Sequence, residues 1–240
     1  MTSIRQYISW TIREGLCRRW GIPFSRYGVD AAIVQFLLPT GLINYVDVGA
    51  SSGWTAEAID KHYGIRRGLL IEPQPARCAE LRQRFADPHF SVHQCAVADQ
   101  ARTCEMEVLK WDYSSSILPV KRDLLNMAEV IDLDVREKIV CRVATLDSVM
   151  TESQWEGNVD LLKIDVQGAE LMALRGAEQT LPHVDMIYTE VSFTPLYEGS
   201  CIFSEVYDFL CARGFRLLSL REGFRGKDKE LLQGDAVFAR

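Results

Sequence analysis

Hydrophobic residues from position 43 onward group into short continuous runs, and most of these runs alternate with stretches of helical period. Runs of this length predict buried strands, and the pattern between them predicts helices. The alternation is typical of an α/β fold with a mostly parallel sheet and helices on both faces. The predicted strands are residues 43–48, 68–72, 90–97, 138–143, 159–165, 185–193, 215–220 and 236–239, and the last two are expected to pair antiparallel.

Two stretches interrupt this alternation. Residues 100–135 have the least regular pattern, with a polar helical stretch around residues 124–130, and loops of this length usually carry function. The strand at residues 138–143 is expected to be an extra edge segment. Residues 221–230 are predicted to form a charged turn that is mostly exposed to solvent.

The N-terminal part of the chain carries two helical patterns, residues 3–20 and 30–38, and the first is amphipathic and basic. They predict an N-terminal helical extension, residues 1–42, before an α/β domain of residues 43–240. We favour packing of these helices on the sheet or, in a homo-oligomer, on a second subunit, and the sequence does not decide between the two. A lid over a ligand site, or a surface that contacts a membrane or an anionic substrate, is the less favoured alternative.

Composition excludes several classes of function. The 240-residue chain has a net charge of −6, whereas a general nucleic-acid binder normally carries a basic stripe. Its seven cysteines are odd in number, scattered and never in Cys-x-x-Cys spacing, so they indicate neither a zinc site nor a disulfide framework. Reduced thiols, and no apolar run of the roughly 18 residues that span a membrane, favour a cytoplasmic protein.

The turn after the first predicted strand has the composition of a nucleotide site. Small residues follow Asp47, namely Gly49, Ala50, Ser51 and Gly53, and a helical pattern begins directly after them. Backbone N–H groups and the helix N-terminus would face a ligand there. The glycine spacing of dinucleotide-binding loops fails at two of its three positions. The loop fits the acidic-x-Gly-x-small-x-Gly pattern that is typical of S-adenosylmethionine-dependent methyltransferases, with an ordinary strand-to-helix turn as the alternative.

Further acidic and polar residues extend this predicted cofactor site. Asp47 is expected either to orient the loop or to attract the cationic end of the cofactor. Glu72 lies 19 residues after Gly53 at the end of the second strand, where a carboxylate would accept hydrogen bonds from ribose hydroxyls. Gln94 and Asp99 are weaker candidates for the adenine side.

Charged residues also lie in and after the strand at residues 159–165, which is otherwise almost entirely apolar. Lys163 and Asp165 alternate onto one face, and Glu170 follows in the first turn of the next helix. The next strand repeats the pattern with Glu190 near its end. Buried charges need partners, so an internal ion pair of Lys163 with Asp165 or Glu170 is an alternative to a functional role.

The run Leu-Lys-Ile-Asp-Val-Gln-Gly-Ala-Glu at residues 162–170, continuing to residue 178, resembles the signature of the FkbM-type methyltransferases. The resemblance extends, in order, to residues 47–53, 72–73, 96–99, 146–148 and 235–238, and so covers the chain from about residue 43 to its end. One departure is Gln167, where the family usually has Glu, so we assign position 167 no acid–base role. The N-terminal 40 residues lie outside the resemblance.

The resemblance implies the class I methyltransferase fold, a Rossmann-like seven-stranded sheet in the order 3-2-1-4-5-7-6 with helices on both faces. It also implies methyl transfer from S-adenosylmethionine to the oxygen of a hydroxylated small molecule, sugar or glycan. A protein that keeps the fold and binds the cofactor without turnover, as a scaffold or docking protein, is the alternative.

For the chemistry, an alcohol needs a group that takes its proton. Because the carboxyl ends of parallel strands meet at one edge, Asp165 and Glu190 are expected side by side, with Lys163 and Glu170 near them. Either one carboxylate is the general base, tuned by Lys163, or Asp165 and Glu190 share a divalent cation that acidifies the hydroxyl. We favour the metal-free base, since no third oxygen ligand follows Glu190 directly.

Overall fold

The computed structural model describes residues 41–110, 112–121 and 134–240. The helices predicted at residues 3–20, 30–38 and 124–130 lie outside the described residues. The boundary between an N-terminal extension and the α/β domain therefore stays a prediction. None of the helices in the described ranges combines the length and the hydropathy of a transmembrane span.

The described residues form ten strands and five α-helices. The strands are β1 Ile43–Val48, β2 Ile65–Ile71, β3 Phe90–His93, β4 Ala96–Val97, β5 Arg102–Leu109, β6 Val135–Ala144, β7 Val159–Ile164, β8 Val184–Ser192, β9 Arg216–Glu222 and β10 Gln233–Ala239. The α-helices are α1 Trp54–Tyr63, α2 Pro75–Arg84, α3 Leu146–Glu152, α4 Glu170–Arg175 and α5 Phe203–Cys211.

Seven of these strands form the main sheet, in the order β3-β2-β1-β7-β8-β10-β9. Neighbours are parallel except that β10 runs antiparallel to both β8 and β9. The predicted class I strand order and the antiparallel final pair are thus confirmed. Parallel strands end at one edge of the sheet, and the loops that follow β1, β2 and β7 meet there.

The strand predicted at residues 90–97 is wrong in one respect, because it splits in two. Its first half is β3 of the main sheet, whereas its second half is β4, which joins a separate three-stranded sheet in the order β4-β6-β5. The exposed Gln94 separates the two halves. The extra strand predicted at residues 138–143 is therefore the centre of this small sheet rather than an edge.

The sequence interpretation also missed β5, which lies inside the stretch described above as irregular. The first half of β5 is mostly exposed and polar, so it lacks the continuous apolar run that marks a buried strand. Its pairing with β6 is instead supported by cross-strand contacts, including Lys138 Nζ to Glu105 at 2.7 Å and to Glu107 at 3.5 Å. A strand stabilised by its partner leaves little trace in local hydropathy.

Hydrophobic residues of the central strands pack on both faces of the main sheet. Along β1, Tyr45 belongs to the cluster on one face and Val46 to the cluster on the other, and both are fully buried. The same alternation in β7 separates Leu161 from Leu162. These two strands lie in the middle of the sheet, so the charged residues near their ends are held in a rigid and largely dry environment.

Candidate functional site

A cavity of about 380 Å³ lies at the carboxyl ends of β1, β2, β7 and β8. One part of its wall is the loop after β1 together with the end of β2, and another part is Glu190 with residues 196–197, 224 and 232–233. We call these the cofactor end and the acceptor end. Residues 113–117 and 120–121 form a further wall between them, and the segment is fixed by Lys121 N donating to Leu196 O at 3.0 Å.

The cofactor end is shaped by close approaches of the backbone. Gly49 has φ +82°, and a Cβ built on it would lie 1.9 Å from the carbonyl oxygen of Asp165. Gly53, the N-cap of α1, has φ +78°, and a Cβ there would lie 2.4 Å from Phe85. A side chain at either position would be strained by the torsion, and at Gly49 it would also meet backbone atoms of Asp165. The cradle therefore needs the two glycines that the sequence singled out.

Ser51 and Glu72 add polar groups to this cradle. The Ser51 side-chain oxygen is buried and has no hydrogen-bond partner among the described residues, although Ser51 lines the cavity. Glu72 Oε2 accepts a hydrogen bond from Ser51 N, and its Oε1 accepts one from Gln74 N, each at 2.9 Å. Burial raises the pKa of Glu72 to about 7, although these backbone donors and Lys163 act against the rise. Each carboxylate oxygen retains a lone pair for a ligand hydroxyl.

Asp47 is part of an internal ion pair rather than of the cavity wall. It is fully buried, and its Oδ1 accepts from Lys163 Nζ at 3.0 Å while its Oδ2 accepts from the Tyr45 hydroxyl at 2.8 Å. This position supports the first role expected for Asp47, orienting the loop, and attraction of a cofactor by Asp47 stays a prediction. Lys163 Nζ also donates to Gly49 O at 3.0 Å, so the pair supports the loop from below.

The expected ion pair of Lys163 has a different main partner from the one the sequence indicated. Its amino group is 3.6 Å from Asp165 Oδ2, which is longer than its contact with Asp47. Burial alone would lower the pKa of Lys163, but Asp47 and Asp165 outweigh burial and raise it. The β1–β7 register, which pairs residue 47 with residue 163, brings the two together, and a single strand pattern does not reveal register.

Asp165 and Glu190 lie side by side at the acceptor end, as the strand ends led us to expect. Gln167 Nε2 joins them, donating to Asp165 Oδ1 at 2.8 Å and to Glu190 Oε2 at 3.0 Å. Gln233 Nε2 donates to the same Glu190 oxygen at 2.9 Å. Burial raises the pKa of Glu190 well above its ordinary range, and nearby carboxylates, Asp165 first, raise it further.

Glu170 does not line the cavity, so direct contact with substrate is not supported. It is buried at the start of α4, and its Oε1 accepts from Val166 N at 3.1 Å and from Gly168 N at 3.0 Å. Burial raises the pKa of Glu170 from its ordinary value of 4.5 to about 7. Its carboxylate fixes the loop that carries Gln167.

Four other predicted cofactor residues lie away from the cavity wall. Ala50 is buried in the hydrophobic cluster beside β1, and Gly53 shapes the start of α1. Gln94 is exposed, and Asp99 forms an ion pair with Arg102 at 3.5 Å. The wall near β4 is made instead by Cys95, Ala96 and Val97, to which the sequence analysis gave no role in the site.

Five residues of the acceptor end went unpredicted, namely Leu196, Tyr197, Phe224, Leu232 and Gln233. Gln233 and Phe224 fall in or next to the segment interpreted as a solvent-exposed turn, and β10 begins three residues earlier than predicted. Tyr197 follows β8, and its hydroxyl donates to Gln167 Oε1 at 3.0 Å. The aromatic residues at 197 and 224, in otherwise polar segments, were the available signal. Among the described residues, no group of three or more His, Cys, Asp or Glu side chains is arranged to hold a metal ion.

The strand order and a cavity at the carboxyl strand ends define a class I methyltransferase fold. Residues 47–217 match the family model of the methyltransferase FkbM domain, and the chain belongs to this family. It is 27% identical over 197 residues to the 2-O-methyltransferase NoeI of Sinorhizobium fredii, covering 78% of this chain and 79% of that protein.

A solved structure, the methyltransferase FkbM from Methylobacillus flagellatus KT, superposes with a TM-score of 0.51 at 18% identity. The match covers 83% of this chain and 44% of that chain, so this protein spans less than half of that longer relative. At this identity the likeness shows the fold alone.

Proposed function

We propose that the protein transfers a methyl group from S-adenosylmethionine to a hydroxyl oxygen of a sugar, glycan or other small-molecule acceptor. The observation that carries the proposal is the position of Glu190, a carboxylate in the same cavity as the glycine cradle and Glu72. Membership of the FkbM family supports methyl transfer, and the name of the relative NoeI, a 2-O-methyltransferase, supports oxygen as the acceptor atom.

The cofactor end fits S-adenosylmethionine. The backbone around Gly49 would approach the methionine part, the unpartnered Ser51 hydroxyl would donate to its carboxylate, and Glu72 would accept from the ribose hydroxyls. When bound, this cofactor supplies an electrophilic methyl group on a positively charged sulfur. Asp165, next to the Gly49 turn, would supply the negative charge that the sequence assigned to Asp47.

The acceptor end would act on the hydroxyl. Holding its oxygen in line with the methyl group is worth up to roughly 7–11 kcal/mol. A carboxylate that takes the hydroxyl proton adds about 10²–10⁴-fold. Glu190 is the proposed base because it lies at the acceptor end and its raised pKa makes it a stronger base than an ordinary carboxylate. Lys163 and Glu170 would act indirectly, by supporting the loops that carry Gly49 and Gln167.

The test is to incubate the protein with methyl-labelled S-adenosylmethionine and a panel of acceptors, namely free sugars, glycosides, oligosaccharides, phenols and aliphatic alcohols. Each acceptor is assayed with EDTA and with added magnesium. We expect an O-methylated product from at least one hydroxylated acceptor, with activity kept in EDTA.

Activity that disappears in EDTA and returns with magnesium would overturn the metal-free route. Binding of S-adenosylmethionine by calorimetry, without transfer to any acceptor, would favour the non-catalytic scaffold. Primary amines and thiols, assayed beside the panel, test the acceptor atom, and transfer to them alone would contradict an oxygen acceptor.

A further inference from the structure

The two carboxylate oxygens of Glu190 are in different situations. Oε2 accepts two hydrogen bonds, from Gln167 Nε2 at 3.0 Å and from Gln233 Nε2 at 2.9 Å. Oε1 accepts none from the described residues, although Glu190 lines the cavity. The side chain is therefore held by one oxygen, and the other is available to a ligand.

Gln167 is held in a single orientation. Its amide oxygen accepts a hydrogen bond from the Tyr197 hydroxyl at 3.0 Å, so its Nε2 points toward Asp165 and Glu190. The opposite amide orientation would set an oxygen against two carboxylates and is disfavoured. The Tyr197 hydroxyl also lies 2.8 Å from the carbonyl oxygen of Ser114. Its single proton is therefore shared between Ser114 O and Gln167 Oε1.

The backbone of Gln167 is strained and is fixed from the other side. Its φ of +55° is unusual for a residue other than glycine, and such torsions persist where the surroundings enforce them. Glu170 enforces it here by binding the N–H groups of Val166 and Gly168, one on each side of Gln167. Glu170 thus acts on the site through Gln167.

Gln233 reaches Glu190 from a different element. It begins β10, whose antiparallel register with β8 pairs residue 233 with Ser192. The two amides therefore approach the same oxygen from separate parts of the chain, 23 and 43 residues away from Glu190. A carboxylate bound in this way cannot rotate without losing both hydrogen bonds.

We propose that Gln167 and Gln233 are positioning residues that bind Oε2 of Glu190 and leave Oε1 as the atom that receives the acceptor's proton. The proposal rests on the function proposed above. In the step, the acceptor oxygen forms a bond to the methyl carbon and the carbon–sulfur bond breaks, leaving its electron pair on sulfur. The hydroxyl proton passes to Oε1, so Glu190 ends neutral.

The amides also bear on the charge of the base. Donors to a carboxylate favour its ionised form, which is the form that can take a proton. The two amides thus oppose the neighbouring carboxylates, which favour the neutral form of Glu190. The charged and titratable groups around Glu190 are Asp165 and Lys163 at the end of β7, Glu170 in α4, Asp235 in β10 with its partner Arg221 in β9, and Tyr197 in the loop after β8.

The first test needs no acceptor. The protein labelled with ¹³C in its glutamate side chains is titrated by NMR, and the Glu190 signal is identified by its absence in Glu190→Gln. We expect Gln233→Met and Gln167→Met each to raise the titration midpoint of Glu190 by about one pH unit, because each removes a donor to the charged form. Gln154→Met is the matched control, since Gln154 also has positive φ, at +51°, but is exposed and outside the cavity wall.

An unchanged Glu190 midpoint in both variants would overturn the proposal, whatever the methyl-transfer assays give. If Gln167→Met does not fold, Gln233→Met decides alone, because Gln233 has no strained backbone torsion. This readout is independent of turnover. If the wild-type protein methylates no acceptor, the proposed function is refuted, and the NMR titration still decides whether the two glutamines position Glu190.

The second test uses an acceptor found in the panel. We expect each Gln→Met variant to lose about tenfold in kcat at pH 7, to recover part of the loss as pH rises, and to bind S-adenosylmethionine as the wild type does. Recovery is expected because the ascending limb of the pH profile moves to higher pH when the pKa of the base, Glu190, is raised. A loss that is equal at every pH would indicate a structural role and would contradict the proposal.

Discussion

The two ends of the cavity are built by different means. At the cofactor end, the ligand-facing groups other than Asp165 come from one continuous stretch, residues 49–74, and Glu72 is held by the backbone N–H groups of Ser51 and Gln74. At the acceptor end, Glu190 is held by two side-chain amides, Gln167 and Gln233, from separate parts of the chain.

This difference teaches what each end is sensitive to. Backbone donors and glycine turns are fixed by the path of the chain, so the structure of the cofactor end depends on the absence of side-chain volume at its glycines. A network of carboxylates and amides depends on charge and protonation, because every buried member must be paired. Substitutions that change volume should affect the first end, and isosteric substitutions that change charge should affect the second.

The largest effect on activity is expected from Glu190→Gln, which keeps the shape of the side chain and removes the base. Turnover should fall by about 10²–10⁴-fold, while affinity for S-adenosylmethionine changes less than about twofold. Methyl-transfer assays and calorimetry measure the two quantities. Full turnover in this variant would remove Glu190 from the mechanism, and an equal loss of affinity would show that the two ends are not separate.

The corresponding test of the cofactor end is Gly49→Ala, which adds volume without charge. The new Cβ would lie 1.9 Å from the carbonyl oxygen of Asp165, so the loop must shift. We expect a loss of about 3 kcal/mol in stability and at least a tenfold weaker cofactor affinity.

Gly157→Ala is its matched control, because φ is +85° there, against +82° at Gly49, but nothing lies within 4 Å. The torsion alone should cost about 1 kcal/mol. Equal unfolding midpoints for the two variants, measured in urea, would show that the close approach to Asp165 is unimportant.

The same contrast explains how much of the site could be predicted from the sequence. Gly49, Gly53 and Glu72 could be singled out because the cofactor end is local: a strand, a turn of small residues and an acid at the next strand end lie within 30 residues. Of the three, Gly49 and Glu72 line the cavity. Asp165 and Glu190 were predicted because parallel strands end at one edge. Both rules follow from chain geometry and need no knowledge of side-chain contacts.

Side-chain partners were not predictable in this way. The pairing of Asp47 with Lys163 follows from the register of β1 and β7, and the contact of Gln233 with Glu190 follows from the antiparallel return of β10. Register is set by packing across the whole sheet and is not written in either strand alone. Gln167 was noticed only as a departure from the family pattern, and its role as a bridge required the positions of two carboxylates.

Glu170→Gln tests how the charge of a buried carboxylate affects the stability of the protein. Both backbone N–H groups bind Oε1, which an amide oxygen can replace, so the loop should be retained. Burial raises the pKa of Glu170 from 4.5 to about 7 in the folded protein. A carboxyl group whose pKa is raised by folding stabilises the folded state at pH values below its pKa in the unfolded chain. This contribution is lost as the pH rises through its pKa in the folded protein.

We therefore expect Glu170→Gln to match the wild type at pH 4 and to be more stable at pH 8, by roughly 3 kcal/mol, which corresponds to several degrees in Tm. Thermal unfolding followed by circular dichroism at both pH values measures this, with Glu156→Gln at an exposed position as the control. A variant that is less stable than the wild type at pH 8 would show that the charge of Glu170 is needed to hold the loop.

The last test concerns Glu72→Ala, measured as the binding of S-adenosylmethionine by calorimetry. Loss of the carboxylate should cost about 1.5–3 kcal/mol at pH 8, the range for hydrogen bonds to a charged group.

Because burial raises the pKa of Glu72 to about 7, the carboxylate that accepts from the ribose hydroxyls is progressively protonated as pH falls through 7. Wild-type affinity should therefore weaken by up to about tenfold between pH 8 and pH 6, since one proton must leave for binding. The alanine variant should show a flatter dependence, because its affinity no longer includes this proton. The same pH dependence in both proteins would assign the titration to another group, and unchanged affinity at pH 8 would contradict the ribose contact. A flat profile in Glu72→Ala would instead show that the cofactor end, although built on the backbone, has one titrating group of its own.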